Sequence, residues 1–196
     1  MNDRFSLSSR SKEVVEIGHF HAVRFYKDAD SLCGIVAEFL EEGFRQAQPA
    51  VVIATPEHLD GIVQRLHTHR SPNRSHKHSL FVLDAQKTLD RFMVDGEPDA
   101  HLFTKAVTPI LTKATGGRRN KVVRAYGEMV DVLWQAGQSH AAIRLEILWN
   151  ELALHHSFSL LCGYSMGNFY KDAAVEEICG QHTHFLAPRL EEAILG

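Results

Sequence analysis

Glu128 stands where an apolar strand should simply continue. The stretch KVVRAYGEM, residues 121–129, is built like a buried strand, yet it ends in a carboxylate. Polar or aromatic groups close the other apolar runs as well: Tyr26 and Lys27, Thr55, Asp84, Tyr126 to Glu128, and Cys162 to Ser165. In an open parallel sheet the carboxyl ends of the strands gather on one edge, and ligands bind there. An ionised acid on that edge needs solvent, a ligand or hydrogen-bond donors. Glu128 is therefore a candidate ligand contact. The structural alternative is a cap on the following helix or an ion pair with Arg124 or Arg144.

Other residue types invite chemistry of their own. Glu146 and Asn150 are four apart on one helical face, placed to pair with each other or to cap a buried site. Cys162 lies in an apolar strand, where a thiol packs as a small hydrophobe, so packing or ligand contact is favoured over nucleophilic catalysis. Trp134 follows the fourth strand and is placed to wall a pocket, whereas Trp149, among Leu145, Leu148 and Leu152, reads as core. There is no G-x-S-x-G elbow, and no catalytic residue is assigned. Thirteen histidines raise the question of metal. His67, His69, His76 and His78 sit among cations without a carboxylate, which reads as a solvated loop. CGQHTH offers Cys179, His182 and His184 but no fourth ligand, so no metal site is expected.

The elements that must position these groups alternate. HFHAVRFY, PAVVIAT, SLFVLDA, KVVRAYGEMV and SFSLLCGYSM read as strands. The first is followed by a helix with Leu32, Ile35, Val36, Phe39, Leu40 and Phe44 on one face, capped by Asp30 or Ser31. The second leads into a helix opened by Thr55 and Pro56. After the third comes a short helix with Phe92 and Met93, interrupted by Gly96 and Pro98, then a helix carrying Leu102, Phe103, Val107 and Ile110. SHAAIRLEILWNELALHH is a further helix, and the tail from Asp172 reads as helix or broken helix. The predicted fold is α/β, a mainly parallel sheet with helices on both faces, a RecA/KaiC-like three-layer sandwich. Residues 1–17 are an expected loose lead-in, and 18–196 a single domain.

The strand–loop–helix at Phe25 to Leu40 and a third strand ending in Asp84 suggest a nucleotide-binding layout. The first loop, FYKDADSLCG, lacks paired glycines and Gly-Lys-Ser/Thr, and its Asp28 and Asp30 repel phosphate. No standard ATP/Mg site is expected. A degenerate nucleotide binder using Asp84 with Mg²⁺ is one competing reading, and a ligand-free interaction scaffold another.

With 44 % apolar and 23 % charged residues and a formal charge of −3, the chain of 196 residues is globular in composition and has no basic stripe for nucleic acid or anionic membrane. No run of eighteen apolar residues spans a bilayer, and the first residues lack a secretory pattern. Three cysteines without a CxxC pair fit a reducing cytosol.

Taken together, HAVRFYKDADSL…FLEEGFRQAQPAVVIAT, RAYGEMVDVLWQAGQ…AIRLEILWNELA and SLLCGYSM resemble the MEDS domain, the methanogen/methylotroph DcmR sensory domain of prokaryotic signalling proteins. The resemblance runs from His19 to the late 180s. It implies a KaiC/RecA-like relative that senses rather than hydrolyses, and a small organic ligand such as a hydrocarbon derivative. It also implies output through a signalling partner, a histidine kinase or transcription regulator, or through a second copy of the chain. The positions matching the family pattern are His21, Tyr26, Glu128, Trp134, Glu146, Asn150, Cys162 and Tyr164. With Asp84 and Tyr126 they form the expected ligand-binding set.

Overall fold

The apolar runs form strands of one parallel sheet. β1 (His21–Tyr26), β2 (Ala50–Ala54), β3 (Leu80–Asp84), β6 (Val123–Gly127), β7 (Phe158–Ser165) and β8 (His184–Phe185) lie in the order β3-β2-β6-β7-β1-β8. Every neighbouring pair is parallel. The computed structural model describes residues 20–68, 80–118, 120–166 and 174–185. The expected lead-in, and His69, His76 and His78, lie outside the described residues.

Alternation along each strand divides the core in two. Ala22 and Tyr26 of β1, Val52 of β2, Tyr126 of β6 and Leu161 of β7 face α1 (Ala29–Arg45) and α2 (Pro56–Thr68), where Leu32, Val36, Leu40 and Ile62 pack on them. Val23, Ile53, Ala125, Leu160 and Cys162 face the other way. They meet α3 (Ala85–Leu89), α4 (Ala100–Thr115), α5 (Met129–Gln135), α6 (Ser139–Ala153) and α7 (Ala174–Gly180). Trp149 of α6 is 1 % exposed and stands edge-on to Phe103 and Phe158. Each such fully buried large side chain contributes about 1.5–3 kcal/mol.

Helix starts depart from expectation in one case. Asp28, not Asp30 or Ser31, caps α1: its carboxylate accepts from Ser31 N at 2.8 Å, because Asp28 alone keeps an extended backbone ahead of the first turn. Asp30 instead pairs with Arg65 of α2. Phe92 and Met93 are not helical: α3 ends at Leu89, and Phe92 lies in the turn that follows. β4 (Met93–Val94) and β5 (Glu97–Pro98) form a small hairpin closed by Asp95 and Gly96, both at positive φ, a two-residue loop for which Asp-Gly is suited. The tail beyond α7 returns to the sheet as β8 beside β1, where a helix or broken helix is expected from sequence. Thr183 secures that return: its N–H and its hydroxyl both donate to the His21 carbonyl, and His21 N–H donates to the Thr183 hydroxyl.

No described helix is long and apolar enough to cross a membrane.

Candidate functional site

Among the described residues the buried carboxylates fall in two clusters, one at the carboxyl edge of the sheet and one beneath α6. The edge cluster sits where β2 leads into α2 on one face while its neighbour β6 leads into α5 on the other, a topological switch point. The two strand ends lock reciprocally. Glu128 N–H donates to the Ile53 carbonyl at 2.9 Å, and Thr55 N–H donates to the Glu128 carboxylate at 3.0 Å. The Thr55 hydroxyl donates to Glu128 at 3.1 Å, and His58 Nδ1 lies 2.7 Å from the same oxygen. Glu128 is 2 % exposed and holds the N-cap position of α5, but its side chain makes no capping hydrogen bond to that helix. Neither Arg124 nor Arg144 is its partner. Arg124 donates to Gln48 and lies over Phe39, and Arg144 approaches Glu151, so the alternative ion pair does not form.

One turn on, Asp131 collects the remaining strand ends. It accepts from Tyr26 OH at 2.7 Å, Ser165 N–H at 3.0 Å and Gln135 Nε2 at 2.7 Å. Burial pushes the Asp131 carboxyl up, with the bonds from Tyr26, Ser165 and Gln135 opposing it. Burial, and then the Asp131 charge, push the Tyr26 phenol far above its ordinary range, so it stays a neutral donor. The hydrogen bond from Glu128 raises the His58 imidazole against the opposing effect of burial. Both carboxylates are met by fixed donors, as in a preorganised polar rim.

The second cluster lies on the opposite side of the sheet from α1. Period two brings His21 of β1 and Cys162 and Tyr164 of β7 to that face, since Val23 pairs with Cys162. From α6 descend Glu146 and Asn150, and from the α7–β8 connection His182. Glu146 is fully buried. Its carboxylate accepts from Tyr164 OH at 2.7 Å and from Cys162 Sγ at 3.4 Å, with His21 Nε2 at 3.1 Å and His182 Nε2 at 3.4 Å. His21 Nε2 is also 3.4 Å from Cys162 Sγ. Burial raises the Glu146 carboxyl, but the His182 and His21 imidazoles outweigh it and hold the group well below the usual carboxylate range. Burial, and then Glu146, push the Cys162 thiol and Tyr164 phenol well up. His21, Glu146, Cys162 and His182 offer donor atoms all within 4.8 Å of one another, in residue types that bind transition metals.

The ten expected ligand residues thus divide. Tyr26 and Glu128 belong to the edge cluster. His21, Glu146, Asn150, Cys162 and Tyr164 belong to the cluster beneath α6, with Trp134 standing edge-on to Tyr164 at 6.0 Å. Asp84 joins neither: it caps α3, accepting from Lys87 N–H at 2.9 Å. Tyr126 faces α1 and α2. Its hydroxyl passes over Gly163, where a Cβ would come within 2.9 Å of it, and this buried hydroxyl has no hydrogen-bond partner among the described residues. Sequence reasoning left out Asp131, His58 and His182. Asp131 was signalled by its place one turn after Glu128, and His58 by its place one turn after Thr55. His182 carried only the local CGQHTH spacing.

No curated protein and no solved structure matches the chain. A family model, MEDS, the methanogen/methylotroph DcmR sensory domain, matches residues 20–183 and so spans both clusters. The chain belongs to the MEDS family of sensory domains.

Proposed function

We propose that this sensory domain is non-catalytic, binds a small organic ligand at the carboxyl edge of the sheet, and signals through a partner protein. One observation carries the reading: the ends of β1, β2 and β7 each send a polar group to Glu128 or Asp131, the two carboxylates that follow the end of β6. Four loops therefore meet at two buried carboxylates. A ligand bearing a hydroxyl or amine replaces His58 or Tyr26 as a donor, and aromatic Tyr26 supplies contact area. Exchange of a donor displaces the start of α2 or of α5, which carry His58 and Asp131, and so shifts the population of two arrangements. A histidine kinase or transcription regulator reading the α2 or α5 surface is the expected output, and a second copy of the chain is the other candidate.

The nucleotide reading is weaker. In a RecA/KaiC-like layout the first turn of α1 would hold phosphate, and here the Asp28 carboxylate already takes the Ser31 amide. Asp84 is likewise engaged as a helix cap.

Native mass spectrometry of the protein purified from its own host tests the proposal. A retained organic molecule is expected, with occupancy reduced at least tenfold in Glu128→Gln and Tyr26→Phe. Undiminished occupancy in both folded variants rejects the edge as the site. Micromolar, Mg²⁺-dependent ATP binding lost in Asp84→Asn would move the reading to a nucleotide.

A further inference from the structure

The cluster beneath α6 points to a metal. We propose that His21, Glu146, Cys162 and His182 form a four-coordinate site for a divalent transition metal of the zinc class, separate from the edge cluster.

The geometry fits. A tetrahedral ion with bonds of about 2.1 Å has donor atoms ~3.4 Å apart. Three donors match it: His21 Nε2 to Glu146 Oε2 at 3.1 Å, His21 Nε2 to Cys162 Sγ at 3.4 Å and Cys162 Sγ to Glu146 Oε2 at 3.4 Å, while His182 Nε2 stands 3.4 Å from the other carboxylate oxygen, Oε1. All four donors lie within 4.8 Å of one another.

The outer partners fix the donor atoms. Asn150 Nδ2 donates to the Gln181 carbonyl at 2.9 Å, which turns its Oδ1 toward His21 Nδ1, 2.8 Å away. The Ile178 carbonyl stands 2.7 Å from His182 Nδ1. A carbonyl oxygen only accepts, so both imidazoles carry their proton on Nδ1. In the neutral rings both Nε2 lone pairs then point into the cluster. This is the outer-shell arrangement that orients metal-bound histidine. Tyr164 does the same for Glu146 through the phenol bond at 2.7 Å.

Charge decides between a metal and protons. A divalent ion with one thiolate, one carboxylate and two neutral imidazoles is electrically neutral, which suits a site where Glu146 and Cys162 are fully buried. Protonating both imidazoles leaves one net positive charge in the core. Protonating only one imidazole restores neutrality but leaves the other Nε2 lone pair facing a carboxylate oxygen, His21 at 3.1 Å or His182 at 3.4 Å. Moreover, His182 Nε2 is buried and makes no hydrogen bond of acceptable geometry among the described residues. On binding, the Cys162 thiol gives its proton to solvent and the thiolate becomes the ligand.

All four positions are supplied by the protein, as in closed structural zinc sites rather than catalytic ones. The ion joins β1, β7, α6 and the link into β8, so occupancy governs how firmly the last strand is held to the sheet.

The test uses the full chain, stripped with a chelator and titrated with Zn²⁺ or Co²⁺. Expected are one ion per chain by elemental analysis, a rise in thermal midpoint, and a tetrahedral Co²⁺ spectrum with a thiolate charge-transfer band. Cys162→Ser removes that band while leaving Co²⁺ bound more weakly. His182→Ala lowers affinity more than about 100-fold, and Asn150→Ala, which leaves all four ligands in place, about 10–100-fold. A folded chain that takes up no stoichiometric metal overturns the proposal. So does uptake unchanged in Cys162→Ser and His182→Ala, which assigns the ion to other histidines. Organic-ligand capture is read with Tyr26 and Glu128 variants, so each result stands without the other.

Discussion

The two clusters solve the same problem, a buried carboxylate, with different neighbours. Glu128 and Asp131 are held mainly by hydroxyls, backbone amides and a side-chain amide drawn from separate loops, with one imidazole, His58, on Glu128. Glu146 is ringed by two imidazoles, a thiol and a phenol rising from strands and helices. Hydroxyl and amide donors can be exchanged for a ligand's donors at modest cost, because each such bond to a carboxylate is worth only about 1.5–3 kcal/mol net. An imidazole–carboxylate group sealed in the core cannot be opened so cheaply, since removing one member strands the others without solvent. On the proposed reading, the edge cluster responds and the cluster beneath α6 holds.

The sharpest way to break this contrast is Glu146→Ala. Its loss leaves His21, His182, Cys162 and Tyr164 facing one another in the core. A destabilisation of about 3–5 kcal/mol is expected in urea unfolding of chelator-treated protein. A cost below about 1 kcal/mol would erase the distinction between the clusters. Tyr26→Phe removes one charge-assisted donor from Asp131 at the edge, and about 1.5–3 kcal/mol is expected in the same measurement. A value as large as that for Glu146→Ala would make the edge as rigid as the interior.

The smallest effect sharpens the comparison through pH. The Glu128 hydrogen bond raises His58 above the ordinary imidazole value of 6.5. A raised folded value means that protonated His58 stabilises the native state fully below about pH 6.5. That contribution fades as pH climbs through the higher folded value. Stability measured from pH 6 to 9 should therefore carry a downward component that Glu128→Gln abolishes. An imidazole NMR titration of His58 should show the upward displacement in the parent and not in the variant. An unchanged His58 titration in Glu128→Gln would remove Glu128 as its cause.

Much of the fold was legible in the chain. Apolar runs closed by Gly, Pro, Asp and Thr mark β1, β2, β3, β6 and β7, and the helical spacing of Leu32, Val36 and Leu40 marks α1. The misreadings are local competitions. Asp28, Asp30 and Ser31 all suit a cap, and backbone conformation chose Asp28. Met93 fits a helix by type, but Asp95-Gly96 closes a hairpin around it. The two-residue β8 is too short to announce itself, and it exists only because β1 offers an open edge.

Sequence by itself placed Glu128 and Tyr26 on the carboxyl edge, because parallel strands joined by helices must bring their ends together. It also set Glu146 and Asn150 on one face of α6 through the helical period. It did not decide what those faces would meet. His21 and Cys162 are 141 residues apart and His21 and Asn150 129 apart, and only the pairing of β1 with β7 beneath α6 makes them neighbours. Period two fixes which side of a strand a residue occupies. The order of strands, set by packing of the whole core, fixes which other residues share that side.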